Sequence, residues 1–299
     1  MNRAAVTVPE RRERASRAAR ARSWSRLERL ARRSPVVVIG AGLIAVVVLV
    51  ALSAPFIAPH SPVSQIAQPL LLPGGAYVAG TDELGRDELS RLIFGAQVSL
   101  YVGILAVSMA LALGATSGII AGFYSGWVDN VLMRAMDVLF SLPAIVLAIA
   151  ITSILKPSLT NAMIAIGIVY APTFARIARG PTLAVVNLAY IEAAHAVGLP
   201  NWKIMLRHVL PNVSAPLIVQ TTVSLSTAIL TEAALSFLGL GTQPPTASWG
   251  LMLSAARQYM LIDPWIAVFP GVAIALTVLG FNLLGDGLRD VLDPRIRTM

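Results

Sequence analysis

The 299 residues include no cysteine, two lysines and three histidines, and only 13% of them are charged; an average soluble domain has roughly 25%. Each shortage excludes something. Without cysteine there is no disulfide and no thiolate metal site. Neither Lys156 nor Lys203 follows a glycine, so the chain lacks the Gly-x-x-x-x-Gly-Lys-Ser/Thr loop that cradles nucleotide phosphates. His60, His195 and His208 do not form the His-Glu-x-x-His pair of a metalloprotease, and no Gly-x-Ser-x-Gly elbow marks a serine hydrolase. The sequence thus predicts no catalytic, cofactor-binding or metal-ligating set and argues against a membrane enzyme.

What is abundant is apolar: 56% of the residues are hydrophobic. Charges are missing from long windows, between Arg33 and Asp82, Arg91 and Asp129, Asp137 and Lys156, Lys156 and Arg176, His208 and Glu232, and Asp263 and Asp286. A bilayer-crossing helix needs roughly 20 apolar residues, whereas buried strands give runs of about 4–8. Six windows therefore predict an all-α polytopic membrane protein with spans near 36–56, 98–122, 131–155, 159–177, 212–235 and 265–284. The first apolar stretch exceeds the roughly 7–15 residues of a signal-peptide core and reads as a retained span.

The net charge of +8 belongs to one end. Residues 1–34 hold eleven basic and three acidic groups, while the remainder has twelve of each. Beside an apolar span, such a tail suits lipid headgroups or topology-setting rather than nucleic acid. With the N-terminus inside, nineteen basic residues fall on inner segments and four on outer ones. The excess of basic residues in cytoplasmic loops places both termini in the cytoplasm. The organisation expected is a basic tail (1–34), a first span with an extracytoplasmic segment (35–95), a five-helix core (96–288) with a cytoplasmic loop at about 178–210, and a charged tail (289–299).

Three patterns stand out within the spans. Ala106, Ala110, Gly114, Gly118 and Gly122 recur every fourth residue, which lets a second helix approach closely. Gln220, Ser224, Thr227 and Thr231 share one helix face with Glu232 beside them; an ionisable group in lipid faces protein or water, so the stripe points to a substrate path, a sister subunit or interhelical bonding. Arg134 with Asp129 and Asp137 reads as an ion-pair cluster at the inner surface.

The loop near 178–210 carries the most specific signal. Pro181 suits the first turn of a helix, Gly198 the left-handed residue past a helix end, Asn201 the cap of a second helix, and Pro211 the opening of the fifth span. The result is a helical hairpin with an alanine-rich face that a partner could pack against.

In that hairpin, Glu192-Ala193-Ala194 with Gly198, closing on Leu210-Pro211, resembles the coupling loop of binding-protein-dependent ABC importer permeases. Three further stretches narrow the likeness: Gly80-Thr81-Asp82-Glu83-Leu84-Gly85-Arg86-Asp87, Leu235-Ser236-Phe237-Leu238-Gly239-Leu240-Gly241, and Asn282-Leu283-Leu284-Gly285-Asp286-Gly287 with Asp293-Pro294-Arg295. Together they resemble the C-type permease subunit of the dipeptide/oligopeptide/nickel family, over about residue 32 to the end.

The resemblance implies the type I importer permease fold and a non-catalytic subunit of a bacterial inner membrane. Its implied partners are a sister permease in a heterodimer, two ABC ATPase subunits or domains, an extracytoplasmic substrate-binding protein and membrane lipid, with no nucleic acid. It assigns ATPase coupling to Glu192, Ala193, Ala194, Gly198 and Leu199. Peptides are the implied cargo, with nickel chelates or other small solutes as alternatives. A secondary transporter would need intramembrane coupling residues, for which Glu232 alone is thin support.

Overall fold

The computed structural model describes residues 35–292; the basic tail and residues 293–299, with Asp293-Pro294-Arg295, lie outside the described residues. Among the described residues nine helices follow one another: α1 (Pro35–Ile57), α2 (Glu88–Tyr124), α3 (Gly126–Phe140), α4 (Ala144–Leu155), α5 (Leu159–Val186), α6 (Ala189–Ala196), α7 (Asn201–Phe237), α8 (Trp249–Ala256) and α9 (Trp265–Leu292). No strand appears among the described residues, only isolated bridges in the segment before α2.

Among the described residues five helices, α1, α2, α5, α7 and α9, are long and apolar enough to cross a membrane. The expected third span differs. It breaks at Ser141-Leu142-Pro143 and bends by 89° between α3 and α4, so there are six spans only if this bent pair counts as one. Pro143 sits at the N-cap of α4, where it offers no amide and pushes Leu142 out of the helical region. No residue of α3 is buried.

Local proline signals yield to packing elsewhere. The fourth span does not end near Ile177: α5 runs through Pro172 and Pro181 to Val186, so Pro181 is interior and not in a first turn. The reason is α2, whose small-residue stripe faces α5. A Cβ on Gly114 would lie 2.1 Å from the Ala171 carbonyl oxygen, and one on Gly118 2.1 Å from that of Ala175. With backbones this close α5 stays helical past its prolines, and the stripe is a packing surface.

The fifth span is likewise continuous with the second arm of the hairpin. α7 extends 37 residues from Asn201, with a π-helical turn at Met205–Val209. Pro211 has no N–H for the Arg207 carbonyl; the turn widens there, and the Leu210 amide donates to Met205 O. Pro200, not Asn201, occupies the N-cap position. At the other side, the charged segment 82–94 is helical only from Glu88, because the Asp87 side chain accepts from the Ser90 amide and caps α2.

One core joins α2, α5, α7 and the hairpin through Val102, Ile166, Phe174, Ile191, Ile204 and Leu235. A second joins α1, α2, α7, α8 and α9 through Ala51, Leu100, Ile229, Trp249 and Phe281.

Candidate functional site

The hairpin begins with α6, which stops where a glycine allows it to. Gly198 has φ +79°. Its amide donates to His195 O at 2.9 Å, and the Leu199 amide reaches Ala194 O at 3.1 Å. These two bonds form the Schellman motif, which satisfies the last carbonyls of a helix through a left-handed residue. Lysine-free and short, α6 presents Glu192, Ala193, His195, Ala196 and Val197 outward, while Ile191 and Ala194 point into the core. Ala194 is therefore packed by its own chain; among the motif alanines it is Ala193 that faces away. Leu199 is half-buried against the core.

Two pairs of contacts fix the hairpin to the spans. Asn212 Nδ2 on α7 donates to the Tyr190 hydroxyl on α6 at 3.2 Å, and the Tyr190 and His208 rings lie 6.1 Å apart. The Asn201 amide reaches the Tyr124 hydroxyl at the end of α2 at 3.5 Å, and Phe123 sits 5.9 Å from the His195 ring. These contacts tie the hairpin to the end of α2 and to α7. Around it, Leu188, Tyr190, Val197, Trp202 and Leu206 stay exposed.

The polar residues of α7 separate into two groups. Gln220 Nε2 donates to Ser224 Oγ at 3.0 Å, Thr227 is exposed and bonds its own helix, and Thr231 pairs with the Tyr170 hydroxyl at 2.9 Å. Glu232 turns to another side and is fully buried. Its carboxylate accepts from Ser236 Oγ at 2.7 Å, Thr242 Oγ1 at 3.1 Å and, more distantly, Ser99 Oγ at 3.5 Å. Ser236 in turn accepts the Thr242 amide at 2.9 Å. One carboxylate thus fastens the loop after α7 to α7 itself and to α2. Ser236 lies one helical turn after Glu232, whereas Ser99 and Thr242 stand at no local spacing that joins them to it.

The segment before α2 is built on charge. Asp82 accepts from the Leu84 and Arg86 amides, each at 2.9 Å, and both Arg86 and Arg91 close on its other oxygen. Arg91 also donates to Pro62 O at 3.0 Å. All three side chains are buried, so the Gly80–Asp87 motif is a rigid cap on α2. At the opposite end, Asp129 and Asp137 pair with Arg179 and Arg176 of α5. The acids of α3 are bound across to another helix, and Arg134 takes part in neither pair, contrary to the cluster expected from the sequence.

Residues 114–298 match the family model described as the binding-protein-dependent transport system inner membrane component. The chain belongs to this family of inner-membrane transport permeases. Residues 23–73 also match the N-terminal transmembrane domain of oligopeptide transport permease C. The permease is 44% identical over 276 residues to the dipeptide transport system permease protein DppC of Alkalihalophilus pseudofirmus, covering 92% of this chain and 91% of that one. It is 46% identical to the di/tripeptide transport system permease protein DppC of Pseudomonas aeruginosa, covering 84% and 85%. It is 47% identical to the glutathione transport system permease protein GsiD of Pectobacterium atrosepticum, covering 76% and 75%. Among solved structures, the inward-facing MetNI methionine ABC transporter superposes with a TM-score of 0.54 at 18% identity, over 68% of this chain and 96% of that one. That likeness is one of fold: the permease has the helical type I importer architecture. It is a multi-pass inner-membrane component of a system that, by its family, works with a binding protein and an ATPase.

Proposed function

We propose that the permease forms half of a translocation pathway for di- or oligopeptides, with a sister permease as the other half. One of two ATPase subunits binds its hairpin from the cytoplasm and the other that of the sister permease; the pair hydrolyses the ATP, and a ligand-loaded binding protein delivers cargo from outside. Both termini are cytoplasmic, and residues 96–288 make up the transporting core. The observation that carries this reading is the hairpin itself. It is an exposed helix turn ended by a Schellman motif, with Glu192 and Ala193 outward and hydrogen bonds into the inner ends of α2 and α7.

In this mechanism the ATPase grips the outward face of α6, with Glu192 at its rim. Ala194, Gly198 and Leu199 hold that face in position from behind. Because Asn201 and Asn212 tie the hairpin to α2 and α7, displacement of the hairpin tilts both spans. Gln220, Ser224, Thr227 and Thr231 supply hydroxyl and amide groups along the pathway, and Glu232 anchors the end of that helix behind them. The peptide cargo is inferred from the named relatives and the shared motifs.

Proteoliposomes containing the permease, its sister permease and both ATPase subunits test this. With the binding protein outside, they are expected to accumulate labelled dipeptide only when supplied with ATP, and vanadate should stop uptake. Uptake driven by an ion gradient without ATP would replace the proposal with a secondary transporter. ATP-driven uptake of a nickel chelate, with none of peptide, would change the cargo alone.

A further inference from the structure

The hydroxyls along the polar face of α7 share one hydrogen-bonding sense. A hydroxyl has one proton to donate and two lone pairs with which to accept. Thr227 Oγ1 donates to Ser224 O at 3.1 Å, and Thr231 Oγ1 to Thr227 O at 2.8 Å. Each commits its proton to a carbonyl one turn back in its own helix and is left as an acceptor. The Tyr170 hydroxyl on α5 stands 2.9 Å from Thr231 Oγ1. Because the Thr231 proton is already placed, Tyr170 is the donor in that pair, and its own lone pairs stay free. Tyr170, Thr231 and Thr227 therefore offer oxygens that can only accept.

Depth and shape narrow what meets them. Thr227 is exposed, and Tyr170 and Thr231 are half-buried. Tyr170 is the twelfth residue of α5, about 17 Å along it and so near the middle of roughly 30 Å of hydrocarbon. Acyl chains have no donor for these oxygens, and polar groups at this depth face protein or a water-filled cavity. Helices meet closely in lipid over small residues, as α2 does with α5 at Gly114 and Gly118. The acceptor face instead carries the bulk of Tyr170, Gln220 and the exposed Leu230, which holds a neighbouring helix away. Glu232 is turned aside and fully buried, so the face is uncharged. An uncharged cavity wall of acceptors suits a solute that brings N–H donors.

We propose that the Tyr170, Thr231 and Thr227 hydroxyls form a ladder of acceptors that meets the α-ammonium and amide N–H groups of a peptide in transit. Tyr170 brings α5 into a pathway otherwise lined by α7. The inference rests on the pathway reading above and names the chemistry by which that pathway holds its cargo.

The test uses proteoliposomes with the permease, its sister and both ATPase subunits, and the binding protein of the same system loaded with labelled dialanine. The readout is dialanine accumulated per ATP hydrolysed. Thr227→Val removes an acceptor whose own hydrogen bonds stay within α7, and Tyr170→Phe removes the phenolic oxygen alone. Each is expected to lower the ratio roughly fivefold, the size of one lost hydrogen bond. Thr221→Val also removes a hydroxyl bonded only within α7, but on the side that faces the groove toward α2, and should keep the wild-type ratio. Unfolding temperature and co-purification of the sister permease should match wild type in Thr227→Val. A wild-type ratio in both Thr227→Val and Tyr170→Phe overturns the proposal. So does an equal fall in Thr221→Val. Loss of the sister permease from the Thr227→Val complex also overturns it, by making these hydroxyls a contact between the two permeases. A wild-type complex that accumulates no dialanine with ATP sinks the importer reading itself, and the ladder with it.

Discussion

Ser236 stands between Glu232 and the loop beyond it: its hydroxyl donates to Glu232 Oε1 at 2.7 Å and accepts the Thr242 amide at 2.9 Å. Glu232→Ala removes the acceptor of the Ser236, Thr242 and Ser99 hydroxyls, all buried, a loss of roughly 3 kcal/mol. Glu232→Gln keeps one carbonyl oxygen for Ser236 and Thr242 and should lose clearly less. Detergent-phase unfolding of the purified complex measures both. Equal stability of Glu232→Ala and wild type would mean that the carboxylate does not hold the loop.

The hairpin gives a prediction with an internal control. Ala193 faces out and Ala194 faces in. Ala193→Trp should weaken ATPase co-purification and stimulated hydrolysis while leaving unfolding unchanged. Ala194→Trp overpacks the permease's own core and should also cost about 1–3 kcal/mol of stability. If Ala193→Trp retains full ATPase binding and stimulation, coupling does not run through this face.

Gly198 has open space around the position of a Cβ, so the effect of substitution there is conformational rather than steric. Gly198→Val should be the most damaging change to coupled hydrolysis. Gly198→Asn should be milder, because asparagine tolerates the left-handed region that costs other residues roughly 1–2 kcal/mol. Equal activities for the two variants would remove the backbone from the explanation.

Close approach of α2 to α5 predicts a sharp contrast among glycines. Gly118→Ala places a Cβ 2.1 Å from the Ala175 carbonyl oxygen and must push the helices apart, at about 1–3 kcal/mol or more. Gly180→Ala, on α5 with nothing within 4 Å, should be neutral or stabilising by up to about 1 kcal/mol. Thermal unfolding in bicelles compares the two directly.

Because the chain has no cysteine, single cysteines can report orientation cleanly. Ser248 is buried and caps α8, so the exposed Thr246 is the better outer site. Thr246→Cys is expected to react with an impermeant thiol reagent on intact cells, and Ala196→Cys in the hairpin only after permeabilisation. The reverse pattern would invert the orientation.

The spans were legible because lipid imposes a length on apolar runs that few other environments do. The hairpin's glycine was legible because a helix stop of this kind depends on one residue. What escaped was set by distant partners. The break at Ser141–Pro143 sits inside a continuous apolar window, and hydropathy does not register a bend. Pro181 and Pro211 read locally as helix boundaries, yet packing against α2 and the π turn carried both helices through them. The ties from Glu232 to Ser99 and from Asp129 to Arg179 cross 133 and 50 residues, beyond any local spacing rule. The inward turn of Ala194 depended on which side of α6 the core took.

α2 and α7 are each 37 residues long, roughly 55 Å at 1.5 Å per residue, well beyond the roughly 30 Å of hydrocarbon. The hairpin bridges them at one end, Tyr124 to Asn201, and Glu232 bridges them at the other through Ser99. Two stiff beams with a crosspiece at each end resist sliding past one another but can swing together. The crosspieces lie roughly 40 Å apart along the helices at 1.5 Å per residue, so a rotation of about 5° about one carries the other through about 3–4 Å of arc. On the coupling mechanism proposed above, the stroke at the far end of this frame would be set by leverage, so that a small displacement of the hairpin would produce it.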